Sequence, residues 1–220
     1  MELNTVIFDM DGLLIDSEPL WEQAAEEFFS EQNIKLSPEH YAKTTGMRTR
    51  EFLQFWFIYF KIPETKLLQA EERIVSRVIE LVKQRGRPMA GVSYIFDFFK
   101  ERNFNIGLAT SSGQALIEVV TDMLDIKKDL GAFSSANDLA YGKPHPEVYL
   151  NCAEKLLVHP RQCICFEDSF NGMIAAKAAG MKCVIVPAPL NQQKAMWGAA
   201  DIEIPALTVF DEGHLLNLST

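Results

Sequence analysis

The sequence predicts an α/β protein, with a doubly wound parallel-sheet core into which an α-helical cap domain is inserted. Three observations carry this reading. From residue 91 onward, short apolar runs alternate with segments of helical period, as strands and helices do in a parallel sheet. Near the start, Thr5-Val6-Ile7-Phe8 is an unbroken apolar or β-branched run suited to a strand buried on both faces. Between Ser17 and Arg87 only helical periodicity occurs. The core is therefore assigned to residues 1–16 and 88–220, and the helical cap to residues 17–87.

Taken in order, the first strand stops at Asp9-Met10-Asp11-Gly12. At the carboxyl end of a parallel strand, both aspartates would face the crevice in which such sheets bind ligands. Two acids so close repel each other, and a cation, a shared proton or water must offset this. A solvated acidic turn is the other reading of this stretch alone.

Ser17 is a good N-cap, with Glu18 and Pro19 suited to the first turn of a helix running to about residue 32. Ser37-Pro38-Glu39 opens a second helix, and Gly46 breaks it. Phe52, Phe55, Trp56 and Tyr59 recur at three- and four-residue steps, as a helix face turned to a core does. A long amphipathic helix after Pro63 would bury Leu67, Ile74, Val75, Val78, Ile79 and Val82. It would end at Arg85-Gly86-Arg87-Pro88, with a glycine C-cap and a proline stop.

In the core, a helix carrying Val92, Ile95, Phe96 and Phe99 leads into a strand over 105–109. Helices over 114–124, 146–157 and 171–179 alternate with strands over 132–134, 163–166 and 183–186, and 201–204 supply an edge strand.

Composition narrows the partners. The 220 residues are 48% hydrophobic and carry a formal charge of −9, which disfavours broad binding to nucleic acid or to an anionic membrane. The start of the chain has no charged-then-apolar leader, and no apolar run approaches the ~20 residues of a membrane span. A soluble, cytoplasmic monomer is expected. Cys152, Cys163, Cys165 and Cys183 have no metal-site spacing and read as buried free thiols, with Cys163 and Cys165 on one strand face.

Each core strand ends in polar residues. Thr110-Ser111-Ser112 follow the second, Glu167-Asp168-Ser169 follow the fourth, and Lys143 sits in the loop Tyr141-Gly142-Lys143-Pro144-His145-Pro146 ahead of a helix. Individually these are ordinary features: a helix cap, a surface lysine, an acidic first turn. Together they bring carboxylates suited to Mg²⁺ beside a hydroxyl, a helix start and an ammonium suited to a phosphate. His145, between prolines, is not read as a ligand.

The motifs Asp9-Met10-Asp11-Gly12, Thr110-Ser111-Ser112, Lys143-Pro144 and Glu167-Asp168-Ser169-Phe170-Asn171-Gly172 resemble, in order and spacing, those of the haloacid dehalogenase superfamily. Residues 17–87 resemble its C1-type cap on a Rossmann-like core. Residues 13–21, 143–150 and 171–179 look like the bacterial hexitol phosphatases, also called 2-deoxyglucose-6-phosphate phosphatases.

The resemblance implies a Mg²⁺-dependent phosphatase acting on small sugar or sugar-alcohol phosphates. Asp9 would be the nucleophile that forms an aspartyl-phosphate, and Asp11 the acid and base, its pKa raised by neighbouring carboxylates. The metal would be held by the Asp9 carboxylate, the Asp11 backbone carbonyl and Asp168, with Glu167 as a further or water-mediated ligand. Thr110, the Ser111 N–H and Lys143 would join Asp9 and Asp11 around the phosphoryl group. The cap would hinge near residues 14–17 and 85–88.

β-Phosphoglucomutases are similar in core and cap, but they carry a histidine where this chain has Trp21. They also need a cap cation for a second phosphate, for which Arg48, Arg50 and Arg73 are available. A phospho-accepting signalling module is the alternative from another class, although such modules lack an inserted helical domain.

Overall fold

In the computed structural model, which describes residues 2–219, β1 (Thr5–Phe8) leaves the sheet into four helices. These are α1 (Glu18–Ser30), α2 (Pro38–Thr44), α3 (Thr49–Phe60) and α4 (Leu67–Arg85). The chain then returns through α5 (Val92–Glu101), β2 (Asn105–Thr110), α6 (Gln114–Met123), β3 (Ala132–Ser135), α7 (Glu147–Lys155) and β4 (Cys163–Glu167). It closes with α8 (Phe170–Ala178), β5 (Lys182–Ile185), β6 (Ile202–Glu203) and α9 (Glu212–Ser219). Met1 and Thr220, the outer limits of the expected core, lie outside the described residues.

All strand pairs are parallel, in the order β3-β2-β1-β4-β5-β6. The order reverses beside β1, which pairs with β2 on one side and β4 on the other. A crevice opens at the carboxyl end of the strands at such a reversal. The site is thereby placed directly beyond Phe8.

Alternating side chains serve two apolar layers. Val6, Phe8, Ile164 and Phe166 pack with residues of α5, α6 and α9, while Ile7, Cys163 and Cys165 pack with α7 and α8. The four cysteines are buried and unpaired, and Cys163 and Cys165 share a face as expected. Phe8 sits at the centre, its ring 5.0 Å from Phe96 and 5.2 Å from Phe166. Among the described residues, no helix is long and apolar enough to cross a membrane.

The helical insertion is held to the core by the pairing of its entry and exit. Ile15 bridges Pro88, Asp16 N–H donates to the Arg87 carbonyl at 2.9 Å, and Met89 N–H donates to the Leu14 carbonyl at 2.9 Å. This pairing changes the expected end of α4. Gly86 does not adopt the left-handed cap conformation (φ −56°), because the chain must leave extended to meet residues 14–16. Within the insertion, α4 packs on α1 and α3, and the apolar layer continues into that of the sheet.

Two other expectations need correction. The buried face of α3 is Leu53, Trp56 and Phe57, while Phe55 and Tyr59 are 44% and 63% exposed and lean edge-on against Trp56. In α4, Ala70 and Leu81 join Ile74, Val78 and Val82 inside, and Leu67, Val75 and Ile79 are half-buried. The apolar stripe is wider than its inner contact line. Helix α9 lies beyond the region of clear sequence signal. Leu215 and Leu218 anchor it against the sheet layer.

Phe8→Ala should cost about 3–5 kcal/mol, the usual range for emptying an aromatic site in a packed core. Chemical denaturation measures it, and a loss below about 1 kcal/mol would contradict the central packing assigned to this ring.

Candidate active site

The strand register brings the polar ends together. Phe8 aligns with Leu108 and Phe166, and Asp9 N–H continues the ladder to the Phe166 carbonyl at 3.0 Å. Asp9 and Glu167 therefore emerge side by side, with Thr110 and Asp168 one residue further on along their strands.

Lys143 reaches under this edge from the loop before α7. Its ammonium donates to Asp9 Oδ1 at 2.5 Å, Glu167 Oε1 at 2.5 Å and the Ala109 carbonyl at 3.1 Å. An ammonium has three protons, so protein oxygens engage all of them. Lys143 is buried and does not line the cavity described below. Lys143 thus holds two carboxylates in place, and a phosphoryl contact would require it to exchange a partner.

Glu167 is wholly buried and satisfied on both oxygens. Oε1 also accepts from Tyr149 Oη at 2.5 Å, and Oε2 accepts from Ser169 Oγ at 3.1 Å. Ser169 caps α8 in turn, accepting from Gly172 N–H at 3.0 Å. A Cβ at position 172 would collide with the Glu167 carboxylate, so only glycine fits there.

Electrostatics favour a cation. One oxygen each from Asp9, Glu167 and Asp168 can lie within 4.8 Å of one another. Three carboxylates thus face the single ammonium of Lys143. Burial pushes the Asp9 carboxyl up to about 8, Glu167 and Asp11 push the same way, and Lys143 only partly offsets them. Asp168 is raised well above the usual carboxylate range by burial first, then by Asp9, Glu167 and Glu18. Burial works against the Lys143 charge, but Asp9 and Glu167 override it and raise the ammonium above its ordinary value. An all-oxygen, carboxylate-rich donor set of this kind suits a hard divalent ion.

Asp11 is placed differently. Its side chain turns from this cluster into a ring of donors. Oδ1 accepts from Ser17 Oγ at 2.6 Å and Trp21 Nε1 at 2.9 Å; Oδ2 accepts from Ser112 Oγ at 2.6 Å and Thr110 Oγ1 at 3.4 Å. The chain turns sharply between the two aspartates and Gly12. Gly12 has φ +78°, and a Cβ there would run into Asp168.

Ser17 precedes α1 as expected but makes no side-chain cap bond, its hydroxyl being engaged by Asp11. Ser111 gives its hydroxyl to the Gly46 carbonyl at 2.7 Å, which leaves its N–H as the group of interest. His145 packs at a tilt against Tyr141 at the exposed surface.

A cavity lies between the sheet edge and the insertion. Its floor is Asp9, Asp11, Asp168 and Thr110–Ser112, and its walls include Glu18, Trp21, Glu22, Tyr41 and Phe52. Among the described residues, no lysine or arginine lines it. Arg48 is engaged by Glu51 and by the Ala136 and Leu139 carbonyls, while Arg50 and Arg73 pair with Glu71 and Glu31. Burial, followed by Asp11, Glu22 and Asp16, raises Glu18 to about 7.

Sequence reasoning missed the roles of Ser17, Trp21, Ser112 and Tyr149. These follow from tertiary placement, although Ser112 stands in a motif and Ser17, Trp21 and Tyr149 lie in the resembling stretches 13–21 and 143–150.

The sequence pattern of haloacid dehalogenase-like hydrolases matches residues 6–186. The chain belongs to this family. It is 38% identical to hexitol phosphatase B of Escherichia coli (strain K12) over 216 residues, covering 98% of this chain and 97% of that protein. It is 30% identical to a phosphorylated carbohydrates phosphatase of Thermotoga maritima, covering 98% of each chain. The fold superposes on a β-phosphoglucomutase from Clostridium difficile with a TM-score of 0.86 at 22% identity, over 99% of this chain and 97% of that one. Family members share this Rossmann-like core, and the parallel sheet flanked by helices is the fold class that the sequence predicts.

The raised carboxyls make a stability prediction for chelator-treated protein. Their unfolded counterparts lose protons near pH 4, whereas folded Asp9 holds its proton to about 8 and folded Glu18 to about 7. The folded state therefore binds more protons in this window, and stability falls as pH rises through it. Melting temperatures between pH 5.5 and 8 should decline, and a flat or rising profile would contradict the assignment.

Proposed function

We propose that this protein is a Mg²⁺-dependent phosphatase that hydrolyses small sugar or sugar-alcohol phosphates through an aspartyl-phosphate on Asp9. The observation that carries this reading is a pair of carboxylates held in unlike surroundings at the floor of one cavity that has no lysine or arginine in its walls. Asp9 lies among other acids and Lys143. Asp11 lies among hydroxyl and indole donors.

In the first step an Asp9 carboxylate oxygen attacks phosphorus. The bond from phosphorus to the sugar oxygen breaks, and Asp11 gives its proton to that departing oxygen. In the second, water attacks phosphorus, Asp11 takes the water's proton, and the bond to Asp9 breaks to restore its carboxylate. Lys143 holds Asp9 Oδ1, so Oδ2 is the oxygen without a protein donor. Thr110 and Ser111 line the same cavity, and on this reading the Thr110 hydroxyl and the Ser111 N–H bind phosphoryl oxygens, fixed donors at developing charge being the main protein contribution to phosphoryl transfer.

Asp9, Asp168 and the Asp11 carbonyl would hold the Mg²⁺, with Glu167 behind them. The surplus of carboxylate over ammonium fits that ion. Bound there, it would neutralise charge on the phosphoryl group and lower repulsion between Asp9 and an anionic substrate. Residues 17–87 serve as the cap that walls the cavity from water, and the segments near 14–17 and 85–88, paired through Ile15 and Pro88, serve as its hinge.

A mutase reading is disfavoured on the same grounds. A second phosphate would meet Glu18 and Glu22 in the cavity wall and no cation. Trp21 also stands where the similar mutases carry histidine. The likeness to hexitol phosphatase B supports hydrolysis of a neutral polyol monophosphate.

Asp9→Asn should abolish phosphate release, and Asp11→Asn should lower it by about 10²–10⁴-fold, the range for lost general acid–base catalysis. A chelator should stop turnover and added Mg²⁺ restore it. Near-normal release by Asp9→Asn, or turnover indifferent to chelator, would contradict the mechanism. In a phosphate-release panel, sugar bisphosphates should be at least about tenfold poorer in kcat/KM than hexose or hexitol monophosphates, because like charges placed together are costly. Activity confined to nucleotides would overturn the substrate assignment.

A further inference from the structure

The donors around Asp11 are not equivalent. An indole N–H donates and cannot accept, whereas a hydroxyl can turn and do either. Oδ1 is held at short range by two donors, Ser17 Oγ at 2.6 Å and Trp21 Nε1 at 2.9 Å. Oδ2 has one short partner, Ser112 Oγ at 2.6 Å, and one long one, Thr110 Oγ1 at 3.4 Å. Both acceptor directions of Oδ1 are thus filled, one of them by a group that can never receive a proton. Oδ2 keeps a direction open on the side of Thr110, where the phosphoryl group is placed by the reading above.

We propose that Trp21 is a positioning residue for the acid–base carboxylate. Its indole N–H fixes the Asp11 side chain in one orientation and confines the transferable proton to Oδ2, the oxygen beside Thr110 and Ser112. In the leaving step the Oδ2–H bond breaks, the departing sugar oxygen gains that proton, and the bond from phosphorus to that oxygen breaks. Trp21 reacts with nothing. Without its N–H, Oδ1 has an acceptor direction to spare, the carboxyl can rotate, and the proton can sit on the oxygen turned away from the reaction.

The inference rests on the hydrolase reading, and its consequence is confined to leaving groups that need a proton. A sugar-alcohol oxygen does; p-nitrophenolate, a weak base, does not. Trp21→Phe keeps an aromatic ring and removes the donor, and Trp21→His returns a ring N–H.

Single-turnover kinetics on a hexitol monophosphate and on p-nitrophenyl phosphate, with Mg²⁺, test it. For Trp21→Phe, alcohol release from the hexitol phosphate should slow by about 10- to 100-fold, part of the loss expected when a general acid is misplaced. Its KM should stay within about threefold, and the p-nitrophenol burst should change by less than about threefold. Trp21→His should recover most of the lost rate.

An equal fall on both substrates, a rise in KM at unchanged kcat, or no effect on either would overturn the proposal. So would a Trp21→His variant as slow as Trp21→Phe. Asp11→Asn separates the two levels of the argument. If it shows the leaving-group dependence and Trp21→Phe does not, the positioning role alone fails. If wild-type protein releases phosphate from neither substrate, the hydrolase reading fails with it.

Discussion

Three carboxylates meet one buried ammonium at the edge of the sheet, and the surrounding structure is arranged around that imbalance. Lys143 spends its protons on Asp9, Glu167 and a backbone carbonyl. Tyr149 and Ser169 supply what Glu167 still needs, and Gly172 makes room for it. Asp168 and Asp9 are left with raised proton affinities that only a proton or a cation can relieve. A buried charge without adequate compensation is expensive, so this surplus is a functional feature of the edge.

The same edge explains why two aspartates separated by one residue can do different work. Asp9 continues the strand and is held by the core alone. Asp11 lies past the point where the chain turns, with Ser17 and Trp21 on one oxygen and Ser112 on the other. Gly12 makes the turn possible at φ +78° and brings the chain close to Asp168. The helices that follow roof the cavity with acidic and aromatic groups, and Arg48, Arg50 and Arg73 of the insertion are occupied by partners outside it. On the proposed reading, phosphate recognition belongs to the floor, and discrimination against a second anion to the roof.

Much of this was legible in the chain. Parallel strands buried on both faces are written as continuous apolar runs, so the core elements and their polar ends could be read directly, and the strand ends fixed Asp9, Thr110, Glu167 and Asp168 on one edge. The helical face of α3 was less legible, since an aromatic stripe gives period without saying how far round the helix burial extends. Phe55 and Tyr59 lie past that limit. Ser17 looked like an ordinary helix cap because local rules cannot see Asp11 competing for its hydroxyl. Trp21 and Tyr149 lay in stretches that carry the family resemblance, but nothing local pointed to the carboxylates they hold. Their partners lie ten and eighteen residues away, across a turn and a strand.

The central claim is that the surplus of negative charge at the strand ends makes Asp9 the residue that carries the phosphoryl group. Acid quench of the enzyme during turnover with Mg²⁺ and a hexitol monophosphate, followed by borohydride reduction and peptide mapping, tests this directly. Reduction converts an aspartyl-phosphate to homoserine. The account predicts homoserine at position 9, formed only with substrate and Mg²⁺ present. Modification at another residue, or none in protein caught while actively releasing phosphate, would contradict it.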